Sequence, residues 1–340
     1  MPNTVADPNQ ANSRVHVAVG IVLDAQGKVL IAQRPAASHQ GGKWEFPGGK
    51  LQPREEILHA LARELNEELG IHVQTAHPFL RVRHAYADKT VLLDAWKVTT
   101  YQGQVHGREG QPLRWVSCHE LGHYDFPAAD LPILDALLLP NLYVISDAGR
   151  LGTATFLTRL ERALHAGVRL VQVREKHLTP EVYLDFAGRV IHLAHAHGAK
   201  VLLNAEPDMV AQTGADGVHL TSERLLTTHS RPLARGLLVA ASCHSAQEIA
   251  WAEHIQADFA VLSPVLDTPS HAGAVVLGWA RFRDLLQAAH LPVYALGGMR
   301  AHDLGRALAA GAQGLAMISG IWESETPAAV VAGLTGPTSK

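Results

Sequence analysis

Three glutamates, Glu64, Glu67 and Glu68, fall within five positions of the segment "GGKLQPREEILHALARELNEELGI" (48–71). Carboxylates hold hard divalent cations, and they take protons from water. Leucines recur through the same segment at helical spacing, so a helix is expected to carry the acids. On a wheel of roughly 100° per residue, Leu58, Leu61, Leu65 and Leu69 share one arc, the expected buried face. With Glu64 at zero, Glu67 lies at roughly −60° and Glu68 at roughly +40°, bordering that arc. Two unit charges about 4 Å apart repel by roughly 1 kcal/mol in water, and by several-fold more at a protein surface. A divalent cation among the carboxylate oxygens removes that cost, and Mg²⁺ or Mn²⁺ suits such oxygens. The plain alternative is a solvated acidic helix face, which an isolated Glu–Glu pair would favour.

The flanking residues decide between the two. Gly49, Glu55, Arg63, Glu64, Glu67, Glu68 and Gly70, with aliphatic Leu65 and Ile71, resemble the Nudix box at every defining position. The resemblance implies a loop–helix–loop binding Mg²⁺ or Mn²⁺ on a diphosphate linked to another moiety. It implies that Arg63 orients Glu64 by ion pairing, and that Glu64 is a metal ligand or general base. Glu67 and Glu68 would be metal ligands, joined by the Gly48 carbonyl. "KWEFPGGK" (43–50) and "GREGQPLRW" (107–115) are similar to the MutT branch, which hydrolyses 8-oxo-dGTP to the monophosphate and pyrophosphate. Glu109 matches a further acidic ligand or base of that branch. By the same resemblance Arg34, His39, Glu45, Phe46, Pro47 and Gly48 contact the nucleotide, and "FPAADLPIL" (126–134) closes the base pocket.

One position departs from that branch. Where MutT reads the base with an amide, this chain has Asp130. An ionised carboxylate accepts the N7–H that 8-oxoguanine has, but it donates to O6 only when protonated. Asp130 could equally cap the following helix, since Asp is a favoured N-cap. Both readings stay open at this point.

The elements that position these residues can be read around them. Residues 15–24 and 28–33 are expected strands joined by a hairpin turn, with further strands at 79–86, 90–99 and 113–117 and a closing helix in 126–140. After Pro140 the texture changes. "LYVIS", "VRLVQVRE", "KVLLNA", "GVHL", "LLVAAS", "FAVLSP", "VYALGG" and "GLAMIS" alternate with Ala/Leu-rich segments such as 153–166, 179–197 and 301–311. Apolar strands alternating with helices indicate a parallel sheet, and eight such units indicate a (β/α)8 TIM barrel, with a doubly wound open sheet as the alternative. The expected class is α/β: a Nudix α/β/α sandwich over 15–138, then a barrel over 139–330. A disordered lead (1–14) and a tail (331–340) flank them.

The second region resembles thiamine-phosphate synthase and its TenI relatives through "LVQVREK", "GADGVHL", "LSPVLDTPSH", "ALGGM" and "AMISGI". Gly297, Gly298 and Ser319 stand after strands seven and eight, where barrels commonly bind phosphate through backbone N–H groups. Gln172, Arg174, Lys176 and Asn204 complete a set suited to a phosphorylated small molecule. The synthase's catalytic pattern is damaged, however. Ala205 and Arg224 stand in place of its two acidic positions, and His271 in place of its lysine. The resemblance therefore implies a ligand-binding or degenerate barrel, with TenI-like tautomerisation through His244 as the catalytic alternative.

Bulk properties bound these readings. The chain has 340 residues, 47% hydrophobic and 18% charged, with net charge −3. That composition supports two buried cores and argues against a broad basic face for duplex nucleic acid. No apolar run reaches the roughly 20 residues that span a bilayer. Two cysteines 125 positions apart form no ligand pair and fit a reducing cytoplasm. Oligomeric state leaves no signature.

Overall fold

The computed structural model describes residues 13–37, 40–268, 273 and 275–335. Two compact units divide the chain, Met1–Leu138 and Leu139–Lys340. Of the expected lead, residues 1–12 lie outside the described residues, and Ser13 and Arg14 already belong to the first strand.

In the first unit, β1 (Ser13–Val22) pairs in parallel with β6 (Lys89–Gln102) and antiparallel with β4 (Gly48–Lys50). β5 (His72–Ala85) completes the sheet in the order β4-β1-β6-β5. β2 (Val29–Gln33), β3 (Trp44–Glu45) and β7 (Leu113–Val116) form a second sheet. The expected β1–β2 hairpin is therefore only local. The Asp24 carboxylate accepts the Gln26 and Lys28 N–H groups and makes the turn. A single bridge, Leu23 to Val29, then joins the strands before they part. Both edges of β1 are already taken, so β2 must pair elsewhere.

Alternation along β1 sends Ala18 and Val22 to one face and Val19 and Ile21 to the other. The first face receives helix α1 (Ile57–Leu69), and the second packs beside helix α2 (Leu131–Leu137). α2 is shorter than the segment expected. In α1 the buried residues are Ala60, Leu61, Leu65 and Leu69, whereas Leu58 is 45% exposed. Burying Ala60 widens the apolar arc toward the carboxylates, to roughly −40° on the same wheel, while Leu58 is exposed by its place in the first turn and not by its angle. That correction places Glu64 and Glu68 deeper than the leucines alone implied. Gly70, in the left-handed region at φ 71°, ends the helix and donates its N–H to the Asn66 carbonyl.

The second unit is a closed barrel of eight parallel strands. They are β8 (Leu142–Ile145), β9 (Leu170–Val173), β10 (Lys200–Leu203), β11 (Gly217–Leu220), β12 (Leu238–Cys243), β13 (Phe259–Leu262), β14 (Val293–Ala295) and β15 (Gly314–Met317). Tyr143, Ile145, Leu202, Phe259, Val261 and Tyr294 fill the inside, while Leu142, Val144, Val201 and Leu203 meet the helices. The expected tail is partly helix: Pro327–Thr335 buries Val331 and Leu334, and 336–340 lie outside the described residues. No described helix is long and apolar enough to cross a membrane.

Candidate functional site

Arg63 is the hub of the acidic helix. Its Nε and Nη2 donate to both oxygens of Glu55, at 2.9 and 2.8 Å. Its Nη1 donates to Glu64 at 2.8 Å and to Glu67 at 3.3 Å. Only a planar guanidinium can serve three carboxylates in this way. Hydrogen bonding to Arg63 pulls the Glu55 carboxyl down to about 2. Glu64 is packed against Gly49 so closely that a Cβ there would lie 2.2 Å from the Glu64 carboxyl carbon and push the carboxylate out of this position. Glu67 is 57% exposed, turned toward solvent.

Glu68 has a different setting. The Gly48 N–H donates to its Oε2 at 3.1 Å. Burial pushes its carboxyl up to about 8, and Glu45, Glu109 and Glu64 add to the rise by repulsion. Glu109 sits on an exposed loop whose backbone is joined to α1. The Arg108 N–H donates to the Glu68 carbonyl at 2.9 Å, and the His106 N–H to that of Leu69 at 3.2 Å. Gln111 Nε2 also donates to the Glu68 carbonyl, at 3.1 Å. Sequence reasoning passed over Arg108 and Gln111, although both lie in the quoted "GREGQPLRW". Nothing in their types announces a helix-capping loop.

Among the described residues no three His, Cys, Asp or Glu side chains converge at metal-binding spacing. The acids are not a ready-made chelate, because Arg63 holds Glu64 and Glu67. Their chemistry nevertheless fits a hard dication. All the donors are carboxylate or carbonyl oxygens, and a positive charge beside Glu68 would favour its ionised form against burial and its acidic neighbours.

The expected nucleotide contacts divide. Arg34 pairs with Glu45, whose pKa is raised by burial against the pull of that arginine. Phe46 and Pro47 are buried scaffold: Phe46 meets Phe126 with ring centroids 5.3 Å apart, and the Pro47 carbonyl accepts the Gly20 N–H. His39 lies outside the described residues. Asp130 begins α2, but its side chain makes no capping hydrogen bond. Instead it is 7% exposed, and burial raises it to about 7, with Glu45 adding to the rise and Arg34 opposing it.

The barrel carries a cavity of about 340 Å³ whose lining includes Gln172, Arg174, Lys176, Asn204, Gly297, Gly298 and Ser319. All seven residues named from sequence therefore share one space. Burial lowers the pKa of Arg174, and the Arg174 charge is the main cause lowering that of Lys176. Gly297 and Gly298 have φ of +100° and +68°, and a Cβ on either would strike the Pro264–Asp267 segment. Both positions thus need glycine for packing as well as for any ligand. Ala205 is buried, and Arg224 is engaged by Glu206 at 2.7 Å, so neither acidic position of the synthase supplies a carboxylate. His271 lies outside the described residues. His244 Nδ1 donates to the Ser263 carbonyl at 2.7 Å.

A chain of neutral groups under the cavity was not foreseen. Gln172 Nε2 donates to the Tyr143 hydroxyl, which bonds His219 Nδ1, and His219 Nε2 meets Ser242 Oγ at 2.9 Å. Burial pulls His219 down to about 3, so it stays uncharged near neutrality. The inward positions of the strands were the available signal.

Comparison with known proteins follows this division. The NUDIX domain model matches residues 18–136, and the thiamine monophosphate synthase model matches residues 142–321. A CTP pyrophosphohydrolase of Escherichia coli (strain K12) is 39% identical over 120 residues, 35% of this chain and 89% of that protein. An 8-oxo-dGTP diphosphatase of the same organism is 36% identical over 124 residues, 36% of this chain and 96% of that protein. A thiamine phosphate pyrophosphorylase structure from Pyrococcus furiosus has a TM-score of 0.50 and 26% identity, covering 57% of this chain and 93% of that one. The chain belongs to the Nudix family through its first unit and to the thiamine monophosphate synthase family through its second.

Proposed function

We propose that the first unit is a metal-dependent nucleoside triphosphate pyrophosphohydrolase that converts 8-oxo-dGTP and water to 8-oxo-dGMP and pyrophosphate. Such a reaction clears oxidised nucleotides before replication uses them. The observation carrying this reading is the acidic helix itself, with Arg63 forked across Glu55, Glu64 and Glu67 and Glu68 pressed into the fold among other acids. Gly48, Glu64, Glu67, Glu68 and Glu109 would hold Mg²⁺ or Mn²⁺. When bound, the ions would neutralise the triphosphate and acidify water. Glu64, oriented by Arg63, takes the proton from the attacking water. By family resemblance the attack falls on the β-phosphorus, breaking its bond to the oxygen that departs with the monophosphate. Arg34 and Glu45 border the nucleotide, and a protonated Asp130 supplies the donor that an amide supplies in MutT.

The barrel, on this reading, binds a phosphorylated small molecule. Arg174 and Lys176 supply charge, and the segments at Gly297, Gly298 and Ser319 supply backbone N–H groups. A thiamine-related second activity is favoured by one observation, the Ser263 carbonyl that orients the His244 ring at the wall of that cavity. It needs neither missing carboxylate.

Turnover of 8-oxo-dGTP, dGTP, CTP and thiamine pyrophosphate by the full chain tests the assignment. The expected result is the highest kcat/KM for 8-oxo-dGTP. A preference for CTP would move the substrate to a pyrimidine nucleotide, and a preference for thiamine pyrophosphate would reject nucleotide-pool clearance.

A further inference from the structure

One side chain joins the backbones of two acids in the first unit. The Gln111 carboxamide oxygen accepts the Glu109 N–H at 2.9 Å, and its nitrogen donates to the Glu68 carbonyl at 3.1 Å. We infer that Gln111 is a positioning residue that tethers the Glu109 loop to Glu68, so that both carboxylates address the same cation. The inference rests on the proposed metal roles of Glu68 and Glu109.

The loop needs such a tether. Glu109 is exposed, and it is flanked by Gly107 and by Gly110, which has φ +76°. The Arg108 and His106 N–H groups pin the start of the loop to α1, and the Gln111 side chain holds the turn beyond them, where two carboxylates repel. Holding the loop in place before the ion arrives removes an ordering cost from binding.

The tether is separable from ordinary helix capping. The Glu68 carbonyl receives a second donor, the Arg108 N–H at 2.9 Å, and Arg108 Nη1 donates to the Asn66 carbonyl at 3.0 Å. The C-terminus of α1 therefore stays capped when Gln111 is replaced. The Glu109 N–H, by contrast, loses the partner that orders its loop.

The experiment is a double-mutant cycle on the full chain, read by Mn²⁺ titration without nucleotide, by kcat and KM, and by hydrogen exchange at the Glu109 amide. Gln111→Met keeps length and removes both bonds. Its expected effect is about a 10- to 100-fold loss in Mn²⁺ affinity and kcat, the range for partners that orient metal ligands. Nucleotide KM should stay nearly unchanged, and the Glu109 amide should exchange faster. In a Glu109→Gln background the same change should cost little more, because the tether then has no carboxylate to deliver. Gln111→Glu, which keeps the acceptor for the Glu109 N–H and loses the donor, should fall between and serves if Gln111→Met misfolds. Equal losses in both backgrounds, or wild-type Mn²⁺ affinity in Gln111→Met, overturn the tether. Wild-type affinity and turnover in Glu109→Gln alone would instead overturn the metal role assigned to Glu109, and the tether with it.

Discussion

The acidic helix and the barrel cavity are both read as phosphate-handling sites, yet they are built from opposite charge. In the first unit glutamates crowd one another, and Glu68 is pushed up to about 8 by burial and by its acidic neighbours. In the barrel, Arg174 and Lys176 share the cavity wall with the glycine turn at 297–298, and the cationic partners lose some affinity for their own protons. An acidic site cannot meet a triphosphate unaided, so it must borrow positive charge. A basic site needs no loan. Chemistry on phosphorus is therefore expected at the acids, where borrowed cations also acidify water, and retention of a phosphate is expected at the barrel.

The largest effect should separate the two sites completely. Glu68→Gln keeps shape and removes charge; kcat for nucleotide hydrolysis should fall by about 100-fold or more, the scale for losing a major electrostatic group. Phosphate binding by the barrel, measured by calorimetry on the same sample, should be unaltered. Arg63→Lys comes next. A lysine cannot fork across Glu55, Glu64 and Glu67, so kcat should drop by about 10- to 100-fold with folding preserved.

A smaller effect should sharpen the reading of Asp130. Below about pH 7 its raised carboxyl is protonated and can donate; above that it only accepts. The ratio of kcat/KM for 8-oxo-dGTP over dGTP should therefore decline as pH rises through about 7, and Asp130→Asn should flatten that decline. Stability must move the same way. Between about pH 4 and 7 the folded chain holds a proton that the unfolded chain releases, so folding weakens as pH rises across that window. Thermal melts of the wild type and Asp130→Asn over that range measure the difference.

The smallest effect on hydrolysis belongs to the barrel. Arg174→Ala should abolish calorimetric phosphate binding there and leave nucleotide turnover within about two-fold, since residues with no shared partners rarely couple strongly. A large loss of hydrolysis would make the cavity a regulatory site for the first unit.

How far the chain could be read in advance depended on the kind of interaction. Period carried the barrel's strands, since each of the eight apolar runs became one; the seven cavity residues came from the family resemblance and the usual barrel phosphate positions, and they line one space. Leu58 misled because a helical wheel weighs leucine above alanine, and the small Ala60 marks where the helix approaches the sheet. The β1–β2 hairpin misled because a turn is local, whereas the pairing of β1 with β4 and β6 is not. Asp is a favoured helix cap by type, but burial beside Arg34 and Glu45 takes the Asp130 carboxyl elsewhere. Gln111 and the Tyr143–His219–Ser242 chain were invisible because neutral hydrogen-bond geometry leaves no periodic trace.

The central claim is that the crowded glutamates of α1 work through a borrowed dication. The direct measurement is 8-oxo-dGTP turnover by the full chain after exhaustive chelation, followed by stepwise addition of Mg²⁺. The account predicts no turnover in the chelated sample and full recovery with the added ion. Undiminished cleavage by the chelated protein would contradict it.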